Sequence, residues 1–276
     1  MSESKRDTSM DFSDHSVWQL LLTVGMRELH AAFYDRNSGR FADYSRRRWE
    51  CEPADTLKCI EDAVYEDPLL LDDYDVSILI RPAMTLTVAP EDYPEEDSQK
   101  MHDTLSLADA TERKDVWREP LGEALALYST PEGVRDFLSR TFLTERVSHA
   151  LCPIVDYFTL RARTEGGERM WVHLEPGRLD VVAFRNGRLL LANTWSFATA
   201  ADASYYLLYA WRALGLDAAQ GEMSVSGDKA LRDETVPMLR RYINYVRLTM
   251  YPASLAAPLR EGISLCEALY MKQDIK

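Results

Sequence analysis

The chain has 276 residues, 46% hydrophobic and 28% charged, enough apolar material for one large core or two of ordinary size. Its 45 acidic and 32 basic side chains give a formal net charge of −13, which excludes a surface built to grip a nucleic-acid backbone. The opening MSESKRDTSM has no apolar centre and does not read as a secretory signal, and no run is long and apolar enough to cross a bilayer.

Taken in order, residues 1–12 read as a polar tail. Residues 17–24 predict an apolar strand ending at Gly25, residues 28–34 a second strand, 35–39 a turn, and 40–47 a third strand that ends in charge. Residues 54–66 carry Ala54, Leu57, Ile60, Ala63 and Val64 at helical spacing. Short strands are predicted over 75–80 and 84–89, followed by an acidic, proline-interrupted loop over 91–103 that leads into a short helix. The pattern through 114–128 mixes strand and helix periods. Thr130-Pro131-Glu132 combines a capping side chain, a proline for the first helical position and an early acid, and predicts a helix to Phe142. A strand over 147–151 and a helix over 153–164 follow.

The stretch from Trp171 to Phe197 is the best specified. Alternating apolar positions predict three antiparallel strands, separated by Pro176-Gly177 and Asn186-Gly187. After it come a helix over 202–214, a strand over 222–226, a helix over 229–241, a strand over 243–250 and a closing helix over 259–271.

Both halves therefore read as β-β-β-α-β-α-β-α, the first with insertions. Arg27, Ala32 and Phe33 match Arg178, Ala183 and Phe184 without a gap, and RNSGR follows the first set as RNGR follows the second. These matches and the shared element order predict an internal duplication, with halves at 13–165 and 166–276 behind a tail at 1–12.

Two such α/β units resemble the architecture of the actin-like ATPase fold, in which two ribonuclease H-like domains flank a cleft. The stretches MWVHLEPGRLDVVAFRNGRLLLANTWSF, DASYYLLYAW and TLTVAPEDYPEED further resemble an uncharacterised bacterial family, a domain of unknown function, assigned to that fold. The resemblance covers residues 15–270. It implies a nucleotide cleft whose first turn in each half, of the form Asp-x-Gly, wraps phosphates while the acid positions magnesium. The matching turns here are Thr23-Val24-Gly25 and Glu175-Pro176-Gly177, with Ser226-Gly227-Asp228 a half match to the adenosine-side turn. Arg27 and Arg178 can contact a phosphate or form the solvent side of a hairpin, and the glycines equally suit any antiparallel meander. The first turn lacks its acid, and in the second Pro176 removes an amide donor.

That pattern implies a non-catalytic scaffold or regulatory protein with a degenerate cleft. The alternatives are a Mg-ATP-binding ATPase using Glu175 as its lone acid, and a small-molecule kinase with Asp156 or Asp228 as base. The implied cofactors are ATP and Mg or none, and the implied partner is another protein or a second copy, with no nucleic acid and no membrane insertion. The histidines at 15, 30, 102, 149 and 173 make no metal-ligand spacing. Four cysteines without CxxC spacing read as buried thiols in a reducing cytoplasm. His149 near Cys152 allows a thiol nucleophile, with packing as the simpler role. Arg46-Arg47-Arg48 can bind an acidic partner or blunt an edge strand. Tyr205 and Tyr209 lie one helical turn apart and can face a partner.

Overall fold

Strand β1 (Trp18–Gly25) is buried at every residue. It reads WQLLLTVG without alternation because both faces of a central strand are covered. In the computed structural model, which describes residues 12–25, 28–42, 47–52, 55–81, 86–105, 114–143 and 146–273, β2 (Glu28–Asp35) pairs with it antiparallel. The third strand expected over 40–47 is two short ones, β3 (Arg40–Phe41) and β4 (Arg47–Glu50), both antiparallel to β2. Helix α1 (Thr56–Glu66) buries Ile60, Ala63 and Val64, the apolar stripe of its sequence. A disulfide joins Cys51, just past β4, to Cys59 on α1. This corrects the expectation of four thiols: Cys152 and Cys266 are free and buried, while the other two are bonded. Strand β5 (Asp75–Arg81) then runs parallel to β1.

The insertion after β5 is a separate antiparallel sheet. It comprises β6 (Thr87–Pro90), helix α2 (Ser98–Leu105), β7 (Lys114–Leu121) and β8 (Ala124–Pro131), with strand order β6-β8-β7. The mixed pattern over 114–128 is the β7–β8 hairpin, turned at Gly122-Glu123 with Gly122 at φ +63°. The helix expected to open at Thr130-Pro131 begins later, as α3 (Val134–Phe142). Thr130 and Pro131 are held in the ladder opposite Asp115 and Lys114, and the Thr130 hydroxyl accepts from the Trp117 indole at 2.9 Å. Asp115 caps the start of α3 instead, accepting from the Gly133 and Arg135 amides at 3.1 and 3.4 Å. Strand β9 (Val147–His149), parallel to β5, and helix α4 (Cys152–Glu165) complete the first half.

The second half repeats the plan. Strands β10 (Glu168–Glu175), β11 (Arg178–Arg185) and β12 (Arg188–Ser196) form the expected meander. Helix α5 (Ala200–Ala213) starts in a capping box between Thr199 and Asp202. Then come β13 (Glu222–Gly227), α6 (Lys229–Leu239) and β14 (Tyr245–Leu248). The single closing helix expected over 259–271 is two, α7 (Ala253–Arg260) and α8 (Leu265–Gln273), broken where Gly262 takes φ +85°.

The sheets share one order, β3-β2-β1-β5-β9 with β4 beside β2, and β12-β11-β10-β13-β14. The duplication is therefore real at the level of topology, but its register differs from the gapless matches. Val24 opposes Leu29 as Leu174 opposes Leu179, an offset of 150 (174 − 24 = 179 − 29 = 150). The matches at Arg27, Ala32 and Phe33 run at 151 (184 − 33 = 151), one residue out. Because side chains alternate faces, that slip puts Phe33 and Phe184 on opposite sides of their sheets. Phe184 instead corresponds to Tyr34, since Arg169 opposes Phe184 as Gln19 opposes Tyr34.

Helices α4 and α8 pack on each other between the halves, and α4 lies on β11 and β12 of the other sheet. The larger core accordingly joins Leu22 and Ile78 from the first sheet, Val155 and Phe158 from α4, Leu265 and Leu269 from α8, and Trp171 and Phe184 from the second sheet. A second core, with Val172, Val181, Leu207 and Trp211, sits under α5 and α6.

Candidate functional site: the cleft between the two sheets

β1, β5, β10 and β13 run in parallel pairs, so their carboxyl ends gather on one side of each sheet, the side where open α/β sheets bind ligands. A cavity of about 720 Å³ opens there, lined by Glu175 and Pro176 at the end of β10, Gly227 at the end of β13, Arg81 at the end of β5, and by α7 and the turn after it.

A chain of polar contacts crosses its mouth. The Arg81 guanidinium forms an ion pair with the Glu175 carboxylate and lies 3.8 Å from Glu28 Oε1. Arg48 reaches the other oxygen of Glu28 at 3.3 Å. On the far side, His173 Nε2 is 3.5 Å from Glu175 and His173 Nδ1 is 2.9 Å from Ser226 Oγ. Tyr251 donates to Ser226 Oγ at 3.0 Å, and Ser226 donates to the Val172 carbonyl at 3.0 Å. Burial alone raises the pKa of Glu175, but the Arg81 charge and the His173 contact outweigh it and hold the carboxyl well below the usual range. Burial lowers that of Arg81, yet Glu175 and the other acids nearby drive it up, so both partners stay charged.

Behind the mouth, α8 delivers Glu267, which is 1% exposed, to the first sheet. Its carboxylate accepts from Thr23 Oγ1 at 2.7 Å and from the Ser264 amide and hydroxyl at 3.0 and 2.7 Å, and lies 2.6 Å from His30 Nδ1. Burial opposes the charged form, but these hydrogen bonds and the His30 contact lower the pKa to about 2.

The residues singled out from the sequence fall into three groups. Glu175, Ser226, Gly227 and Asp228 line the cavity. Gly177 tips the β10–β11 turn at φ +75°, behind Pro176, while Gly25 ends β1 opposite Arg81. Thr23 and Arg178 are committed elsewhere: Thr23 to Glu267, and Arg178 to Asp180 and Thr194 at 3.1 and 3.2 Å. Asp228 caps α6 by accepting from the Leu231 amide, and its own amide donates to the Leu174 carbonyl. Arg27 lies outside the described residues. Arg81, Glu28, His173, Tyr251 and Glu267 belong to no motif of the sequence. The one available signal is at Arg81, a charge closing the apolar run DVSILIR at the end of a buried parallel strand.

The profile of the DUF3822 family, described as a protein of unknown function, matches residues 7–246. The chain belongs to the DUF3822 family. Among solved structures, it is similar to a Bacteroides thetaiotaomicron protein with an actin-like ATPase fold and unknown function. The TM-score is 0.79 at 17% identity, over 96% of this chain and 99% of that one. It is also similar to a PilM-PilN type IV pilus biogenesis complex, with a TM-score of 0.53 at 10% identity over 92% and 98% of the two chains. No curated protein matches it. These likenesses establish the actin-like ATPase fold.

Of the remaining described candidates of the DUF3822 chain, Arg48 borders the cleft and the others are occupied in packing or lie away from it. Burial and the adjacent Glu119 push the Cys152 thiol well up, and its sulfur lies 2.6 Å from Glu119 Oε1. A thiol held protonated is no nucleophile. Burial, aided by Arg178, drives His149 down to about 3, so it is neutral and accepts from the Leu151 amide at 3.0 Å. Asp156 is exposed on α4 and does not line the cleft. Arg46 lies outside the described residues, and Arg48 is paired with Glu28. Tyr205 and Tyr209 are 65% and 66% exposed and stacked on one another. No helix among the described residues is long and apolar enough to cross a membrane.

Proposed function

We propose that this DUF3822 chain is a non-catalytic scaffold of the actin-like fold, whose cleft is closed to magnesium nucleotide. The observation that carries the reading is the Arg81–Glu175 ion pair, with Glu28 on the same guanidinium. Magnesium asks for free carboxylate oxygens and water in octahedral array, and phosphoryl transfer rests on that charge. Glu175 and Glu28 face arginine instead, and Asp228, the third acid lining the cavity, caps α6 through Oδ1. The amides that would cradle phosphate are short as well: Pro176 has none, and that of Asp228 is spent on Leu174. The cleft therefore acts as an internal lock between the halves, and the chain works by presenting surfaces to another protein. The protein assembly named for the PilM-PilN neighbour accords with such a role.

The volume of the cleft favours a second reading, a Mg-ATP-binding protein. Calorimetry separates the two. With ATP, ADP or GTP at millimolar concentration and magnesium present, the chain is expected to give no saturable heat. Tight, magnesium-dependent binding with turnover would overturn the scaffold reading.

A further inference from the structure

Away from the cleft, a groove of about 830 Å³ runs between the inserted sheet and the second sheet. None of its lining residues belongs to the cleft, so a ligand of the groove is tested separately from the cleft, while its being a partner protein rests on the scaffold reading. Its two walls are sheet edges. Among the described residues, β6 pairs only with β8, and β12 only with β11. An edge strand carries a row of backbone donors and acceptors with no ladder partner.

Nine residues make β12 long for an edge, and such edges are normally blunted by lysine, proline or a bulge. β12 has one irregularity, at Leu190, and its pairing with β11 is regular from Leu191 to Ser196. The groove is floored by Leu86 and Leu121, with Leu190 and Leu191 half-buried and Val88 39% exposed. Its charged rim is acidic at Glu91 and Asp92, both exposed, with Arg188 opposite and Glu123 paired to Arg163 at 3.4 Å.

We propose that this groove docks an extended segment of a partner protein. The segment adds as a strand to the β12 edge, buries apolar side chains against Val88, Leu190 and Leu191, and sets basic side chains against the acidic rim. Main-chain bonds to the edge supply affinity, and alternate side chains supply selectivity. The acidic rim selects basic partners and repels acidic ones.

The test is selection of random displayed peptides of roughly ten residues, the length of a long strand, on the full chain. Selected peptides should alternate apolar with other residues and be rich in Lys or Arg. They should bind the Glu91→Lys/Asp92→Lys double variant at least about tenfold more weakly. Both positions are exposed, so the variant keeps the fold, and a matching circular-dichroism spectrum and melting curve would verify this. A bound peptide should slow amide hydrogen exchange across 188–196 and leave 173–176 and 226–228 unchanged. The proposal is overturned if no peptide is enriched, if enriched peptides bind the variant equally, or if protection appears in the cleft instead.

Discussion

Arg81, which ends β5, grips the carboxylate of Glu175, which ends β10, and so ties the first sheet to the second. Position for position, Glu175 corresponds to Gly25, the residue paired with Arg81 in the first sheet. The turn that would supply a metal acid thus supplies the counter-ion of an arginine from the other half.

Removing one partner of this pair leaves the other charged and poorly solvated. Arg81→Met is expected to cost about 2 kcal/mol, below the roughly 3–5 of a fully buried pair because the Glu175 side chain keeps 24% of its exposure. The double variant Arg81→Met/Glu175→Leu should regain most of that loss, since an apolar pair of similar bulk carries no desolvation penalty. Urea denaturation of the four proteins in the cycle measures the coupling, and additive losses would show that the two charges do not interact.

Acid should loosen the α8 dock. Glu267 has a folded pKa of about 2, below its unfolded value of roughly 4.3. A group lowered on folding favours the native state fully above its unfolded pKa, and that share shrinks as pH falls through 4.3 and is gone below about 2. Glu175 acts in the same direction. Glu267→Gln should therefore be less stable than wild type at neutral pH, with the difference closing by about pH 2. Denaturant midpoints taken across that range test it, and a difference independent of pH would assign the effect to packing alone.

Two glycines of the cleft should respond very differently to alanine. At Gly227, φ is +100° and an added Cβ would stand 2.0 Å from the Leu174 carbonyl oxygen, so strand β13 could not stay against β10. Gly227→Ala should fail to fold or lose several kcal/mol, on the scale of backbone strain plus overpacking. At Gly177, φ is +75° with nothing within 4 Å of the added carbon. Gly177→Ala should cost only about 1–2 kcal/mol, the left-handed penalty. Equal losses would mean that Gly227 is not wedged between the strands.

Most of the fold is legible because strands β1, β10 and β11 carry patterns that only one environment explains, and because Asn186-Gly187 marks its turn unambiguously. Of the inserted sheet only β6 is, expected over 84–89 and found at Thr87–Pro90, since β7 has the half-buried sequence KDVWREPL, whose period is neither two nor 3.6. Thr130-Pro131 misleads because cap propensity is local, whereas the ladder with β7 and the Asp115 cap are tertiary. The duplication is legible as element order and misregistered as residue matches, because three identities do not outweigh a one-residue slip. In the cleft, glycine turns announce themselves by composition. The residues that occupy it come from β2, β5, β10, the chain beyond β14 and α8, and no spacing in the sequence links Arg81 to Glu175.

The disulfide should be measurable in both stability and thiol count. Cys51 and Cys59 are eight residues apart, and closing so short a loop removes few unfolded conformations, about 2–3 kcal/mol worth. It ties the end of β4 to α1, the helix that covers the first sheet with Ile60 and Val64. Cys59→Ser should lower the melting temperature, and a reductant should lower that of wild type equally while leaving the variant unmoved. Thiol titration of the denatured chain should find only Cys152 and Cys266 before reduction, and all four cysteines after it. Four reactive thiols without reductant, or a wild-type midpoint that ignores reductant, would show that β4 and α1 are held by packing alone.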